Sequence, residues 1–235
     1  MKLRVKFSKH GVLKFIGHLD VMRYFQKAIR RAGIDIAYTT GFSPHQIMSF
    51  AAPLGIGLES NGEYMDIEVN SLTSAKEFVN ALNAQMVEGI EILDVCLLPD
   101  NAGNAMASVS AAKYTVAFRE GYFPPFLSKQ AMDTFLAQDE IIVTKKTKKS
   151  EAMFDMKPYI YECTFHEADA TISMTVDASS SGNLKPSLVV KTLCERNNFA
   201  FDEFGLLITR EETYMNVGTE EAVRLEPLSF VGSDY

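Results

Sequence analysis

The chain has 235 residues, of which 47% are hydrophobic and 23% charged, so it can form one large packed domain or two small ones. No segment approaches the roughly 20 apolar residues of a membrane helix, and the alternating residues 1–8 exclude a secretory signal. Cys96, Cys163 and Cys194 lack C-x-x-C spacing, which argues against a disulfide framework, a zinc knuckle or an iron–sulfur cluster. We therefore expect a cytoplasmic protein with reduced thiols, no cofactor and no membrane contact.

The charges are distributed unevenly along the chain. Residues 1–50 contain nine basic and two acidic side chains, a local net charge of +7, so the remaining residues carry −14 to give the overall −7. This asymmetry predicts a local basic surface on an acidic protein. The alternative is that the two oppositely charged regions neutralise each other in the fold.

The first strand and the first helix are predicted from hydrophobic periodicity. Residues 2–7 alternate apolar and basic side chains, which indicates a half-buried strand. Residues 18–32 have helical spacing, and Gly33 is expected to end the helix in the left-handed conformation. The apolar stripe of this helix consists of Leu19, Met22, Phe25, Ile29 and Ala32.

The other elements up to residue 99 follow the same patterns. A helix is predicted at 71–86, capped by Ser71 or Thr73. The additional strands are predicted at 34–38, continued after a turn at 46–52, and at 63–69 and 90–98. The resulting order, β-α-β-β-α-β, is that of a ferredoxin-like unit.

The second half repeats this order with one extra strand. The small and polar residues 100–110 are interpreted as a linker. After it, strands and helices are predicted at 114–118, 128–138, 141–144, 159–165, 172–176, 186–197 and 205–209. The fold class is therefore predicted as α+β, with two tandem ferredoxin-like (βαββαβ) units with antiparallel sheets. Their bounds are 1–99 and 111–210, and a weakly patterned C-terminal extension covers 211–235.

Candidate catalytic residues lie at the start of the first helix and in the bend after the second strand. His18 and Asp20 occupy the first helical turn, and His45 follows the sequence G-F-S-P at 41–44. Two histidines near Glu63 or Asp66 would resemble a loose acid–base or metal site. No ligand spacing enforces such a site, so we predict no metal, and the simplest role for His45 is to hydrogen-bond its own turn.

A second group of candidates would bind phosphates and bases. Cationic side chains can neutralise phosphates, and aromatic rings or hydroxyls beside them can contact nucleotides. These candidates are Arg23, Lys27, Arg30, Arg31, Tyr38, Phe42, Ser43, Lys145, Lys146, Lys148 and Lys149, with Tyr24 as a further aromatic ring. A charged helix face is also commonly just solvated.

The basic residues of the first strand have another predicted use. In a ferredoxin-like sheet the first and third strands are neighbours, which would set Arg4 and Lys6 opposite Asp66 and Glu68. These charges would then pair within the sheet, so we do not expect nucleic acid on that face.

Several short motifs resemble a bacterial family of unknown function that is fused to, or encoded beside, radical SAM proteins. The motifs are G-H-L-D-x-x-R at 17–23, R-R-A-G at 30–33, G-F-S-P-H at 41–45, S-F-A-x-P-L-G at 49–55, G-E-Y-M-D at 62–66, K-K-T-K-K at 145–149, D-M-K-P-Y-I at 155–160 and G-N-L-K-P-S at 182–187. The resemblance implies a bacterial cytoplasmic protein, often encoded near ribosomal proteins and RNA-processing enzymes, without an established activity. Because the chain lacks a C-x-x-x-C-x-x-C motif, it is not itself the radical SAM enzyme.

Three functional hypotheses follow from these observations. The first is an RNA-binding or adaptor protein that acts with a radical SAM partner in RNA modification or ribosome maturation, on tRNA or rRNA. The second is an RNA-processing or modifying enzyme, similar to the paired ferredoxin-like repeat nucleases of CRISPR systems, with His18 as base and Arg23 or Lys27 stabilising the phosphate. The third is a purely protein-binding module for the radical SAM partner.

Overall fold

The structure is a computed structural model that describes residues 1–146, 151–219 and 222–233. The chain divides into two compact units. Unit 1 contains Met1–Ser110 and Arg210–Tyr235, and unit 2 contains Ala111–Thr209. Both units combine a mostly antiparallel sheet with a few helices, so the fold class is α+β as predicted.

Unit 1 is built around the first strand of the chain. Its elements are β1 (Lys2–Lys9), α1 (His18–Arg31), β2 (Met48–Phe50), β3 (Glu59–Glu68), α2 (Ala75–Asn83), β4 (Ile90–Leu98), the short α3 (Ala105–Ser108), the end of β10 (Leu206–Asn216) and β11 (Leu225–Pro227). Short 3-10 helices occur at Gly11–Phe15 and Leu228–Val231. The strand order is β4-β1-β3-β10, with β2 paired to β3 and β11 to β10.

The strand β1 is buried on both faces, which differs from the half-buried strand that its alternation predicts. Its apolar residues Leu3, Val5 and Phe7 are at most 1% exposed and form the core with side chains of α1, α2 and the neighbouring strands. On the opposite face Arg4 is only 1% exposed and Ser8 only 6%. The physical reason is that residues far away in sequence cover this second face and supply partners for its charges.

The helix α1 confirms most of its predicted features. Phe25 and Ile29 are fully buried in the core, and the helix ends at Gly33, whose φ of +69° is the expected left-handed cap. Leu19 was assigned to the apolar stripe, but it is 59% exposed. Val21 takes the buried position in the first helical turn instead.

Two predicted elements are shorter in the structure. Residues 34–38 form only isolated bridges, Ile36 with Val69 and Tyr38 with Gln46, instead of a continuous strand. The helix α2 begins after Ser74, whose side chain accepts a hydrogen bond from the Glu77 backbone N–H. Ser71 cannot cap it because its hydroxyl donates to Asp35.

Unit 2 contains a series of paired strands and a separate hairpin. Its elements are β5 (Ala111–Phe118), α4 (Lys129–Leu136), β6 (Ile142–Lys146), β7 (Glu151–Asp155), β8 (Ile160–His166), β9 (Thr171–Asp177), α5 (Pro186–Arg196) and the start of β10. The strand order is β10-β5-β9-β8, while β6 and β7 form a two-stranded antiparallel sheet. The hydroxyl of Ser128 caps α4 by accepting a hydrogen bond from the Ala131 N–H.

The segments predicted as a linker and as a C-terminal extension both belong to unit 1. The Arg4 guanidinium donates to the carbonyl of Gly103 at 3.1 Å and to that of Leu228 at 2.8 Å. Leu228 is itself fully buried, and Ser233 bridges to Leu97 of β4. These contacts tie residues 100–110 and the last part of the described chain to the sheet, although their sequences are weakly patterned.

Candidate nucleic-acid interface

One edge of unit 1 carries a row of exposed cations, which we call the basic stripe. Arg23, Lys27 and Arg30 follow each other at steps of four and three residues, so they share one face of α1. All three are exposed, and so is Arg31. Within the described residues, the one ion pair of this group joins Arg23 to Asp20 at 3.3 Å and is exposed to solvent. The stripe is therefore accessible to an anionic ligand.

The loop at 38–46, here called the aromatic loop, is held together at its base. The Thr39 N–H donates to the His45 carbonyl at 2.9 Å, and the His45 N–H donates to the Thr39 hydroxyl at 3.1 Å. The His45 ring stays in this turn, with Nδ1 3.1 Å from the same hydroxyl. His45 thus hydrogen-bonds its own turn, which is the simpler of its two predicted roles. At the tip, Gly41 has a φ of +115°, which strongly favours glycine.

The aromatic loop lies against the middle of α1. The Gln46 side-chain amide donates to the Gln26 carbonyl at 3.2 Å, and Arg30 Nε donates to the same carbonyl at 3.3 Å. A backbone carbonyl of α1 is therefore shared by the stripe and the foot of the loop. Gln46, which directly follows the G-F-S-P-H bend, thus joins the loop to α1.

Two aromatic rings of the loop face solvent beside the stripe. Tyr38 is 47% exposed, and the Phe42 side chain is completely exposed, next to the exposed Ser43. Tyr24, another candidate ring, is engaged elsewhere, since its hydroxyl donates to the Gln85 carbonyl and accepts from the Val87 N–H. Arg31 also donates to the side-chain oxygen and to the carbonyl of Gln85.

The three candidate catalytic residues do not converge. The His18 ring packs edge-on against Phe50 at 5.1 Å between centroids, whereas His45 adjoins Gln46, which contacts Gln26. Gln26 is eight residues after His18, which corresponds to about 12 Å along a helix. Asp20 is exposed and is paired with Arg23. The structure therefore does not assemble a shared acid–base site from these groups.

Glu63 is also removed from such a site, because it is buried in an internal ionic cluster. Its carboxylate accepts from the Ser60 hydroxyl at 2.6 Å and from Arg210 Nη1 at 2.9 Å. The Lys9 ammonium lies in the same region and donates to the Ile16 carbonyl at 3.2 Å. Burial lowers the pKa of Lys9, and the charge of Glu63 opposes this shift. Among the described residues there is no group of three or more potential metal ligands.

The charges of the central strands pair internally, largely as predicted. Arg4 lies opposite Asp66 in the β1–β3 register and forms a two-pronged ion pair with it, at 2.7 and 3.0 Å. The prediction for Lys6 was wrong, because Lys6 faces Tyr64 in the register and pairs with Glu212 at 2.5 Å. Sequence reasoning missed Lys9, Arg210 and Glu212. Basic and acidic residues within otherwise apolar strands are the only signal that could have found them.

The second predicted basic patch can be placed only in part. Lys145 and Lys146 end β6 and are paired in register with Ala152 and Glu151 of β7. Lys148 and Lys149 lie outside the described residues. The basic stripe of α1 is therefore the better-defined candidate interface. Within the described residues, no helix is sufficiently long and apolar to cross a membrane.

Comparison with known proteins places most of the chain in one family. The DUF2344 family model, described as an uncharacterized protein conserved in bacteria, matches residues 2–186. No curated protein matches the chain. Among solved structures, a chain from the crystal structure of a Cbf5-Nop10-Gar1 complex is similar over 90% of this protein and 48% of that chain, with 7% sequence identity and a TM-score of 0.49. This protein thus spans about half the length of that chain.

Proposed function

We propose that this chain, which belongs to the bacterial DUF2344 family, is an RNA-binding or adaptor protein that acts with a radical SAM partner. The partner would modify RNA or contribute to ribosome maturation in the bacterial cytoplasm. The observation that carries the RNA part is the basic stripe lying beside the aromatic loop. The radical SAM part is supported by the motifs that resemble families fused to, or encoded beside, such proteins.

The two surface features suit the two chemical parts of RNA. Phosphate groups need cations that are not already neutralised, and Lys27 and Arg30 are exposed without an acidic partner among the described residues. Bases need planar apolar surfaces, and Tyr38 and Phe42 offer them on a loop that is hydrogen-bonded to the same helix. Lys or Arg with aromatic rings is the usual combination in proteins that bind RNA.

The finer fold assignment forms part of the proposal. We interpret the two units as tandem ferredoxin-like folds. The strand orders β4-β1-β3 with β2 on β3, and β10-β5-β9-β8, support this interpretation, since in each the first and third strands are adjacent. A fold of this kind serves many functions, so the RNA proposal depends on the surface residues and not on the fold.

Exposed apolar side chains in unit 1 support the partner-protein part of the proposal. Val12, Phe15, Leu19 and Ile56 are between 59% and 79% exposed. The 3-10 helix that carries Val12 and Phe15 is linked to the loop that carries Ile56, because the Gly57 N–H donates to the Lys14 carbonyl at 2.8 Å. Apolar surface that remains exposed on a folded protein is often covered by another protein.

The RNA proposal can be tested by filter binding with tRNA and rRNA fragments at low and moderate salt. The informative variant replaces the stripe, with Arg23→Gln, Lys27→Gln and Arg30→Gln combined. Lys76→Gln is the matched control, because Lys76 is an exposed lysine on α2 of the same unit. We expect the unaltered protein and the control to bind at low salt and the triple variant to bind at least about tenfold more weakly, since several phosphate contacts are lost.

Absence of binding by the unaltered protein at low salt would refute the RNA part. Co-purification of the radical SAM partner, with and without nuclease treatment, then distinguishes an RNA adaptor from a purely protein-binding module. A complex that survives nuclease requires direct protein contact, whereas a complex held only by RNA dissociates.

The hypothesis that the surface around the basic stripe is an enzyme active site stays a prediction. It needs His18 to act as a base beside Arg23 or Lys27, and the ring of His18 packs against Phe50 at the first turn of α1. If RNA incubated with the protein is cleaved or modified and His18→Ala abolishes this activity, the enzyme hypothesis replaces the adaptor.

A further inference from the structure

We propose that the basic stripe and the aromatic loop recognise an unpaired stretch of RNA, with one base stacked on the Phe42 ring. This inference rests on the proposed function and specifies its ligand class. The structural basis is the position of an isolated, fully exposed ring on a loop that is fixed to the phosphate-binding helix.

Phe42 is held in an accessible position by the backbone around it. The loop closes through two Thr39–His45 hydrogen bonds and the bridge between Tyr38 and Gln46, so its base is a short, paired segment. Phe42 lies at the far end of this segment, four residues from Tyr38 and from Gln46. Its ring has no recorded aromatic contact among the described residues, in contrast to Phe50, which contacts Phe7, Phe25 and His18.

The loop that carries the ring is bonded to α1 at the carbonyl that Arg30 also contacts. Gln46 is bonded to the Gln26 carbonyl, and four extended residues span at most about 14 Å, so the Phe42 backbone is within that distance of the Gln46 backbone. Arg30 donates to the same carbonyl. A short single strand can therefore place phosphates on Arg30 and Lys27 while a neighbouring base meets Phe42.

An exposed aromatic ring discriminates between RNA forms. In a duplex, the faces of internal bases are covered by their neighbours, and proteins contact mainly phosphates and ribose hydroxyls. A single strand, a loop or a bulge presents free base faces that stack on aromatic side chains. The cations of the stripe would attract both forms, so Phe42 is the residue that should favour the unpaired one.

The test compares a short single-stranded RNA with the blunt duplex of the same sequence, with affinity measured by fluorescence anisotropy. The variants are Phe42→Ala, Phe42→Leu and Phe42→Trp. Phe204→Ala is the matched control, because Phe204 is an 85% exposed phenylalanine in unit 2. Replacing an aromatic ring that stacks on one base weakens binding by about fivefold or more.

We expect Phe42→Ala and Phe42→Leu to lose that affinity for the single strand, and Phe42→Trp and Phe204→Ala to retain it. Duplex affinity and the salt dependence should not change in any of the four, because no cation is removed. The inference is overturned if the duplex binds as tightly as the single strand, or if Phe42→Ala binds the single strand like the unaltered protein. In either case RNA binding itself stands, whereas failure of both RNAs to bind at low salt refutes the proposed function.

Discussion

Two sets of basic residues from the first 31 positions have opposite environments in unit 1. Arg4, Lys6 and Lys9 belong to β1, and each is bonded to a carboxylate or a backbone carbonyl inside the unit. Arg23, Lys27, Arg30 and Arg31 belong to α1 and remain exposed. Residues that are similar in charge and close in sequence thus form internal bonds in one set and remain on the surface in the other.

The difference follows from the element that carries each set. A central strand has neighbours on both sides, so its polar side chains must find partners among residues brought in by the sheet, such as Asp66 and Glu212. A surface helix buries one stripe and leaves the opposite one in water. Net charge therefore does not identify a ligand site, and of these two sets the cations of α1 are the ones that a ligand can reach.

The largest expected effect comes from the buried arginine. Arg4→Ala would remove the cation that pairs with the Asp66 carboxylate, which would keep only the Ala105 N–H, and the carbonyls of Gly103 and Leu228 would lose this donor. Removing one member of a buried ion pair typically costs about 3–5 kcal/mol. We expect the free energy of unfolding, measured by urea titration with circular dichroism, to fall by this amount.

Arg23→Ala is the control for this experiment, because its ion pair with Asp20 is exposed to solvent. Its effect should stay within about 0.5 kcal/mol. Equal effects of the two substitutions would show that the distinction between interior and surface cations is wrong.

A smaller effect is expected from Glu63→Gln. The substitution keeps the side-chain volume but removes the charge that faces Arg210 and opposes the desolvation of Lys9. Hydrogen bonds to charged groups contribute about 1.5–3 kcal/mol, so the free energy of unfolding should fall by about 2 kcal/mol. Glu68→Gln, at a partly exposed position on the same strand, should change it little. A Glu63→Gln variant as stable as the unaltered protein would contradict the role of the buried cluster.

The smallest effect concerns the pH dependence linked to Lys9. Burial lowers the pKa of Lys9 below its ordinary value of 10.5, so between the two pKa values the unfolded chain binds more protons than the native one. In that window, stability rises with pH. The difference in the free energy of unfolding between the unaltered protein and Lys9→Met should therefore shift in favour of the unaltered protein as the pH increases towards 10.5.

The same comparison made with Lys27→Met provides the reference for an exposed lysine. If the stability loss caused by Lys9→Met and that caused by Lys27→Met depend on pH in the same way, Lys9 is not desolvated in solution. A side-chain NMR titration of the Lys9 methylene next to the ammonium group gives an independent readout, with a midpoint expected below 10.5.

Local patterns in the sequence predicted the features that depend on nearby residues. The Gly33 cap, the buried Phe25 and Ile29, and the Arg4–Asp66 pairing all follow from periodicity or from the expected strand order. The basic stripe was also predicted, because helical spacing fixes which face carries Arg23, Lys27 and Arg30.

Features that depend on distant residues could not be predicted. Burial of Arg4 requires residues 103 and 228, which lie outside the pattern of β1. The expected meeting of His18, His45 and Glu63 was not found, because β2 brings Phe50, and not His45, to the start of α1. No local spacing in the sequence fixes which residue of that segment reaches the helix.

The salt dependence of RNA affinity tests the central claim most directly. For single-stranded RNA, the slope of log K against log salt changes by about 0.7 for each phosphate contact. The triple variant with Arg23→Gln, Lys27→Gln and Arg30→Gln should therefore show a slope about 2 units less negative than the unaltered protein, while its free energy of unfolding remains within about 0.5 kcal/mol. Identical slopes for the two proteins would contradict the assignment of the stripe of α1 as the RNA-binding surface.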